Sequence, residues 1–299
     1  MKKIKKIIDK YNFIVNKYNK FDNVYFLNTN IGHFCLKKKR DNKVFDTISY
    51  LKSKRFKNFL DIYSSEEDDF LITRFIDNKV FIKDDKAYEL IYLVSMLHNC
   101  TTFYKSISLD EVKCFYEEKM KEIISLKNYY DNLCYMFDND NFISPSRFLL
   151  LKNISLIFLS LDLAVDYLNK WYDSMKEKCS RRIVLNHNHL DLSHILIEET
   201  SYLINWEYSS FDSPIVDLSY FFKSECLNVD IEILFDVYLS RYQLFVEEYY
   251  LLFVYLLIPK KIVFQDLEID NTKYIYNLIG CVSLLYNFVL KNASRCNKK

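Results

Sequence analysis

The stretch Val184–Phe222 reads VLNHNHLDLSHILIEETSYLINWEYSSFDSPIVDLSYFF, and it decides the fold. It holds three of the chain's five histidines, His187, His189 and His194. Three short apolar runs surround them: Arg182–Leu185, Ile195–Ile197 and Tyr202–Trp206, with a turn at 198–201. Such runs, bounded by polar clusters, predict short strands. Histidine, aspartate and asparagine at this spacing suit a metal site, a catalytic loop or a chance cluster. Alternation along an extended segment puts His187 and His189 on one face.

Working outward, composition removes several classes. The 299 residues are 50% hydrophobic and 17% aromatic, enough for a full core and against disorder. A net charge of +1 supplies no steering field for nucleic acid or an anionic membrane. With two glycines, Gly32 and Gly280, the chain cannot carry a G-x-G-x-x-G loop, a Walker loop or a G-x-S-x-G elbow. Eight cysteines without a C-x-x-C pair suggest reduced, buried thiols in a cytoplasmic protein. The basic N-terminus lacks a continuous apolar segment, so no signal peptide is expected. The longest apolar runs are short or interrupted, so no transmembrane segment is expected either.

The chain reads as two regions. In residues 1–77 strands are expected at 23–27, 33–38, 59–63 and 69–75, with a tight turn ending at Gly32 and a helix over 45–54. In residues 78–299 helices dominate. Leu90, Val94 and Leu97 share one face, and a charged helix runs over about 109–135. Ser144–Pro145 marks a helix start, with Ser144 as N-cap. Leu150, Ile154, Ile157, Leu161, Ala164, Leu168 and Trp171 then form one stripe. A strand-rich insert over 183–206 interrupts this region, and further helices fill about 229–258 and 267–291.

This order of elements, with His187-Asn188, Ile195-Leu196, Leu203-Ile204, Trp206-Glu207 and Pro214-Ile-Val-Asp217-Leu218, resembles the aminoglycoside phosphotransferase and choline kinase superfamily. The resemblance is nearest to its CotS-like spore-coat branch. It implies an α+β, protein-kinase-like bilobal fold, with a small sheet-plus-helix N-lobe (1–77) and a large, mostly helical C-lobe (78–299). It also implies positions for the site. Lys37 and Gly32 fall at the strand lysine and the phosphate-loop turn. His189 falls at the catalytic Asp, and His194 and Asn205 at the two metal-binding positions. His187, Asn188, Trp206, Glu207 and Asp217 fall at structural positions around the loop. Asp46 is the early helical acid that could pair with Lys37.

The departures from the family pattern shape the functional expectation. Phosphoryl transfer is mostly positioning and charge neutralisation, and Mg²⁺ prefers hard oxygen ligands. Imidazole at His194 and a neutral amide at Asn205 serve it poorly. The expectation is therefore a degenerate active site: a pseudokinase acting as a binding or scaffold module, with a spore association as an extension. The alternative is an active ATP-dependent small-molecule phosphotransferase using His189 or Asp191 as base. No cofactor is certain; ATP is the implied nucleotide and no metal site is expected. The expected partner is a protein or a small molecule, not nucleic acid. His187-x-His189-x-Asp191 also copies the start of a metallo-β-lactamase motif, but its last His and Gly-rich turn are missing.

Overall fold

A computed structural model describes residues 2–78, 82–139 and 142–297. In chain order the first elements are α1 (Lys2–Lys10), β1 (Val15–Phe21), β2 (Val24–Thr29), β3 (Gly32–Lys38), α2 (Lys43–Ser53), β4 (Phe70–Arg74) and α3 (Lys83–Thr101). Then come β5 (Phe103–Ser106), α4 (Leu109–Asp138), α5 (Pro145–Met175), β6 (Ser180–Asn186), β7 (Ile195–Ile197), β8 (Ser201–Leu203) and β9 (Ser210–Asp212). The last are α6 (Ile215–Glu225), α7 (Ile231–Leu239), α8 (Val246–Leu257) and α9 (Glu268–Asn292). The chain forms two compact units: Met1–Thr101 with His187–Ser210, and Thr102–Asn186 with Phe211–Lys299.

The first unit is built on an antiparallel sheet in the order β1-β2-β3-β4. Gly32 closes the β2–β3 turn at φ 135°, a conformation that side chains disfavour. The turn is held by Thr29 Oγ1 donating to the Gly32 carbonyl at 2.8 Å. One sheet face packs with α1 in a core of Ile7, Phe13, Leu27, Leu36, Phe70 and Ile72. Asp68, before β4, fastens α1 by accepting from Lys10 at 2.7 Å and Tyr11 at 2.5 Å.

Two sequence expectations fail in this unit. β1 was not expected, because six of its seven residues are exposed and leave no apolar alternation to read. The expected strand at 59–63 is irregular chain. It makes a single parallel bridge from Phe59 to Leu203 and one backbone bond from Tyr63 to Ile72, without a ladder.

The second unit is helical, with a small sheet in the order β5-β6-β9. α4 begins with a capping box between Ser108 and Glu111. α5 carries the expected stripe, with Leu150, Ile157, Leu161, Ala164, Leu168 and Trp171 buried. It packs on α4, α8 and α9. Ser144 precedes α5 but makes no side-chain cap bond. The Ser146 N–H at that end donates instead to Glu268 Oε1 of α9 at 2.7 Å, so a carboxylate from elsewhere does the capping.

α5 and the helical run Glu268–Cys296 are long and apolar enough to cross a membrane by length and composition. Continuous apolar runs do not reveal this, because Asn153, Ser160 and Asp162 interrupt α5 without lowering its mean hydropathy much. A helix packed inside a domain passes the same test.

Arg182 of β6 is tied to the start of α8. Its Nε donates to Glu248 Oε1 at 2.9 Å and its Nη2 bonds Glu248 Oε2. Both side chains are under a tenth exposed, and the guanidinium also lies over the Phe245 ring at 4.0 Å. Burial pushes the Glu248 carboxyl up while Arg182 pulls it down. Removing one partner of such a pair leaves a buried, uncompensated charge. Arg182→Ala is therefore expected to lose about 3–5 kcal/mol of unfolding free energy in urea denaturation.

Candidate functional site

The first unit collects most of the residues singled out from sequence. The chain leaves β6 at His187, turns through Asn188 at φ 61°, and forms a short 3₁₀ turn over Leu192–His194. It then makes the β7–β8 hairpin and enters a second 3₁₀ turn, Trp206–Tyr208, through Asn205 at φ 70°. Asparagine tolerates this left-handed conformation better than most residues.

Hydrogen bonds and ring contacts brace the segment. His187 is fully buried, and its Nε2–H donates to the Ile204 carbonyl at 2.8 Å. Its ring meets Trp206 edge-on at 5.0 Å. Trp206 Nε1 donates to the Leu203 carbonyl at 3.0 Å. The Asn188 amide donates to the Tyr208 carbonyl at 3.0 Å. Asp217 is buried in the first turn of α6, in the second unit.

Lys37, Asn205, His194 and His189 form one hydrogen-bonded chain. The His189 carbonyl can only accept, so the His194 Nδ1 at 2.7 Å carries the proton. In the neutral ring Nε2 is then an acceptor, and Asn205 Nδ2–H donates to it at 3.0 Å. That sets the amide so that Asn205 Oδ1 faces and accepts from the Lys37 ammonium. The His189 ring lies against His194 at 4.7 Å between centroids and against Tyr208 at 5.1 Å.

Sequence reasoning placed Glu207 in a structural role and missed its partner. Its Oε2 pairs with Lys37 and its Oε1 accepts from the Arg40 N–H at 3.0 Å. Lys37 thus pairs with Glu207, not with Asp46. The available signal was slight: Glu207 is the first acid after Asn205. Asp191 caps the first 3₁₀ turn, accepting from Ser193 N–H at 2.6 Å. Burial pushes its carboxyl up, but the bonds from Ser193 outweigh this and hold it below the usual carboxylate value.

A cavity of about 700 Å³ lies within this unit. Its walls include Val24, Phe26, Leu71, Leu203 and Trp206, and its polar lining includes Lys37, His194, Asn205 and Glu207. The size and the mix of apolar wall with few polar groups suit a small-molecule ligand. Burial pushes the Cys35 thiol, also in the lining, up to about 11. Gly32 is outside the lining, at the β2–β3 turn.

The donors do not suit the Mg²⁺ that the resemblance implies. Mg²⁺ wants hard oxygens. Asn205 Oδ1 is held by an ammonium, His194 offers imidazole nitrogen, and both Glu207 oxygens are engaged. Among the described residues, no three of His, Cys, Asp and Glu gather as a metal-ligand group.

Solved structures with this fold exist. An aminoglycoside phosphotransferase from Alicyclobacillus acidocaldarius superposes with a TM-score of 0.66 at 11% identity, covering 95% of this chain and 93% of its own. Spectinomycin phosphotransferase, in complex with ADP and spectinomycin, gives a TM-score of 0.55 at 12% identity, covering 95% of this chain and 97% of its own. The chain therefore has the α+β, bilobal, kinase-like fold of these enzymes. No protein-family model matches the sequence, and no curated protein matches it.

His194 provides a titration test. Burial is the largest influence and lowers its pKa from 6.5; the bond to the His189 carbonyl opposes this, and the charges of His189 and Lys37 add to the lowering. A depressed pKa means that its contribution to stability is fully present above pH 6.5 and is lost as pH falls through the folded value. NMR titration should place the His194 midpoint below 6.5. Asn205→Asp should raise that midpoint, because a carboxylate beside the ring favours its charged form.

Proposed function

We propose that this chain, with the fold of the aminoglycoside phosphotransferases, is a non-catalytic kinase-like module. Its first-unit cavity takes a nucleotide-sized ligand without a divalent metal. The observation that carries this reading is the state of Lys37. In a phosphotransferase of this fold, the resemblance implies, the ammonium at this position meets phosphate oxygens. Here it is neutralised by Glu207 and bonded to Asn205, and Asn205 is held in turn by His194.

The candidate bases support the same reading. A general base works best with a pKa near the operating pH. Asp191 is held low and serves as a turn cap. The His189 ring packs between His194 and Tyr208. ADP in the spectinomycin phosphotransferase complex makes adenine nucleotides the first ligands to try.

Thermal unfolding with ATP, with and without Mg²⁺, tests the proposal. A ligand at a hundred times its Kd adds about 2.7 kcal/mol, which a melting curve resolves. The expected result is a rise in Tm that is the same with and without Mg²⁺, and no phosphate release. A Mg²⁺-dependent rise with ATP turnover that His189→Ala or Asp191→Ala abolishes would overturn it in favour of an active phosphotransferase. No shift under either condition would overturn the nucleotide part and leave a protein-binding scaffold.

A further inference from the structure

We propose that Cys226 and Cys281 form a reversible dithiol–disulfide couple, oxidised by hydroperoxides, in the lining of a second cavity. This cavity, about 600 Å³, lies in the second unit, and its lining includes Lys223, Cys226, Lys260 and Cys281. Cys226 is the C-terminal cap residue of α6, and Cys281 lies in the middle of α9. The Cys226 thiol donates to Cys281 Sγ at 2.8 Å. A disulfide needs about 2.05 Å between sulfurs, so closure takes a movement of less than an ångström.

The backbone around the pair explains the approach. Gly280 precedes Cys281, and a Cβ there would meet Leu227 Cδ2 at 3.3 Å, tighter than ordinary contact. Leu227 directly follows Cys226. One of only two glycines in the chain thus lets α9 come close to the end of α6 where the two thiols meet.

The surroundings assign separate roles to the two sulfurs. Cys226 is buried and donates its proton, whereas Cys281 is part-exposed and accepts. That bond, together with the positive charges of Lys223 and Lys260, holds the Cys281 thiol below its ordinary value. Cys226, as donor and buried, is pushed up. Lys223 is itself pushed down to about 8 by burial, and its ammonium donates to the Tyr255 carbonyl at 3.1 Å and the Ile258 carbonyl at 2.7 Å. Reactivity follows the thiolate, so Cys281 is the attacking sulfur and Cys226 the resolving one.

The reaction balances in two steps. The Cys281 thiolate attacks one peroxide oxygen; an S–O bond forms, the O–O bond breaks, and the other oxygen leaves after protonation, as water from hydrogen peroxide or as an alcohol from an organic hydroperoxide. The resulting sulfenic acid is then attacked by Cys226; the S–S bond forms, the S–O bond breaks, and hydroxide leaves with the Cys226 proton as water. Two thiols are oxidised and one hydroperoxide is reduced. The bridge spans 55 residues and joins α6 to α9. A cross-link of that reach restricts the unfolded chain and raises Tm.

The test uses the full chain, reduced and freed of reductant, then treated with a few equivalents of hydrogen peroxide in dilute solution. Alkylation under denaturing conditions followed by mass spectrometry should find two of the eight thiols protected. A peptide pair should join Cys226 to Cys281, dithiothreitol should release it, and Tm should be higher in the oxidised form. Cys226→Ser should lose the bridge and accumulate a Cys281 sulfenic acid that dimedone traps. If that buried substitution fails to fold, the wild-type peptide map decides alone. The proposal is overturned if Cys226 and Cys281 both remain alkylatable after peroxide treatment. Passage of Cys281 to the sulfinic acid without a bridge overturns it as well.

Discussion

The hydrogen bonds that run from Lys37 through the Asn205 amide to His194 organise the first unit's site. They depend on one backbone fact: Asn205 occupies the left-handed region. In that conformation its side chain reaches the strand lysine and the imidazole together. The amide supplies one acceptor to the ammonium and one donor to the ring, so neither face is left wanting. A carboxylate there would have no N–H to offer His194. An imidazole whose outward nitrogen accepts from an amide is a neutral imidazole, and burial favours that form.

Glu207 completes that arrangement in a way a list of motifs does not convey. It is buried, and a buried carboxylate needs a counter-charge or several donors. It has both, in Lys37 and the Arg40 N–H. The consequence reaches the cavity, where the Lys37 cation in the lining is balanced from within the protein before any ligand arrives. The second unit has a parallel in Arg182 and Glu248, where one ion pair is both a strand-to-helix tie and a helix cap. In each case a buried acid carries out a packing task and an electrostatic one.

Much of this was legible in the sequence, for identifiable reasons. The stripe of α5 was readable because 3.6-residue periodicity shows directly in a string of letters. The β2–β3 turn was readable because Gly32 needs its positive φ. The β7–β8 hairpin was readable from paired apolar runs around a polar turn, with its second strand ending earlier than expected, at Leu203. The edge strand β1 was not readable, because exposure removes the pattern. The cap of α5 was not either, since Glu268 lies 122 residues from the Ser146 it serves.

What the sequence determined by itself was the order of most elements and the set of unusual residues at the loop, because local periodicity, turn chemistry and short motifs are properties of neighbouring positions. It could not pair Lys37 with Glu207, 170 residues away, or choose Glu207 over Asp46. It could not bring Cys226 against Cys281. Those decisions belong to the tertiary structure, because hydrogen bonds and charges act over a few ångströms of space and are indifferent to distance along the chain. Only the packed backbone, with Asn205 turned left-handed and Gly280 lacking a Cβ, determines which side chains come within that range.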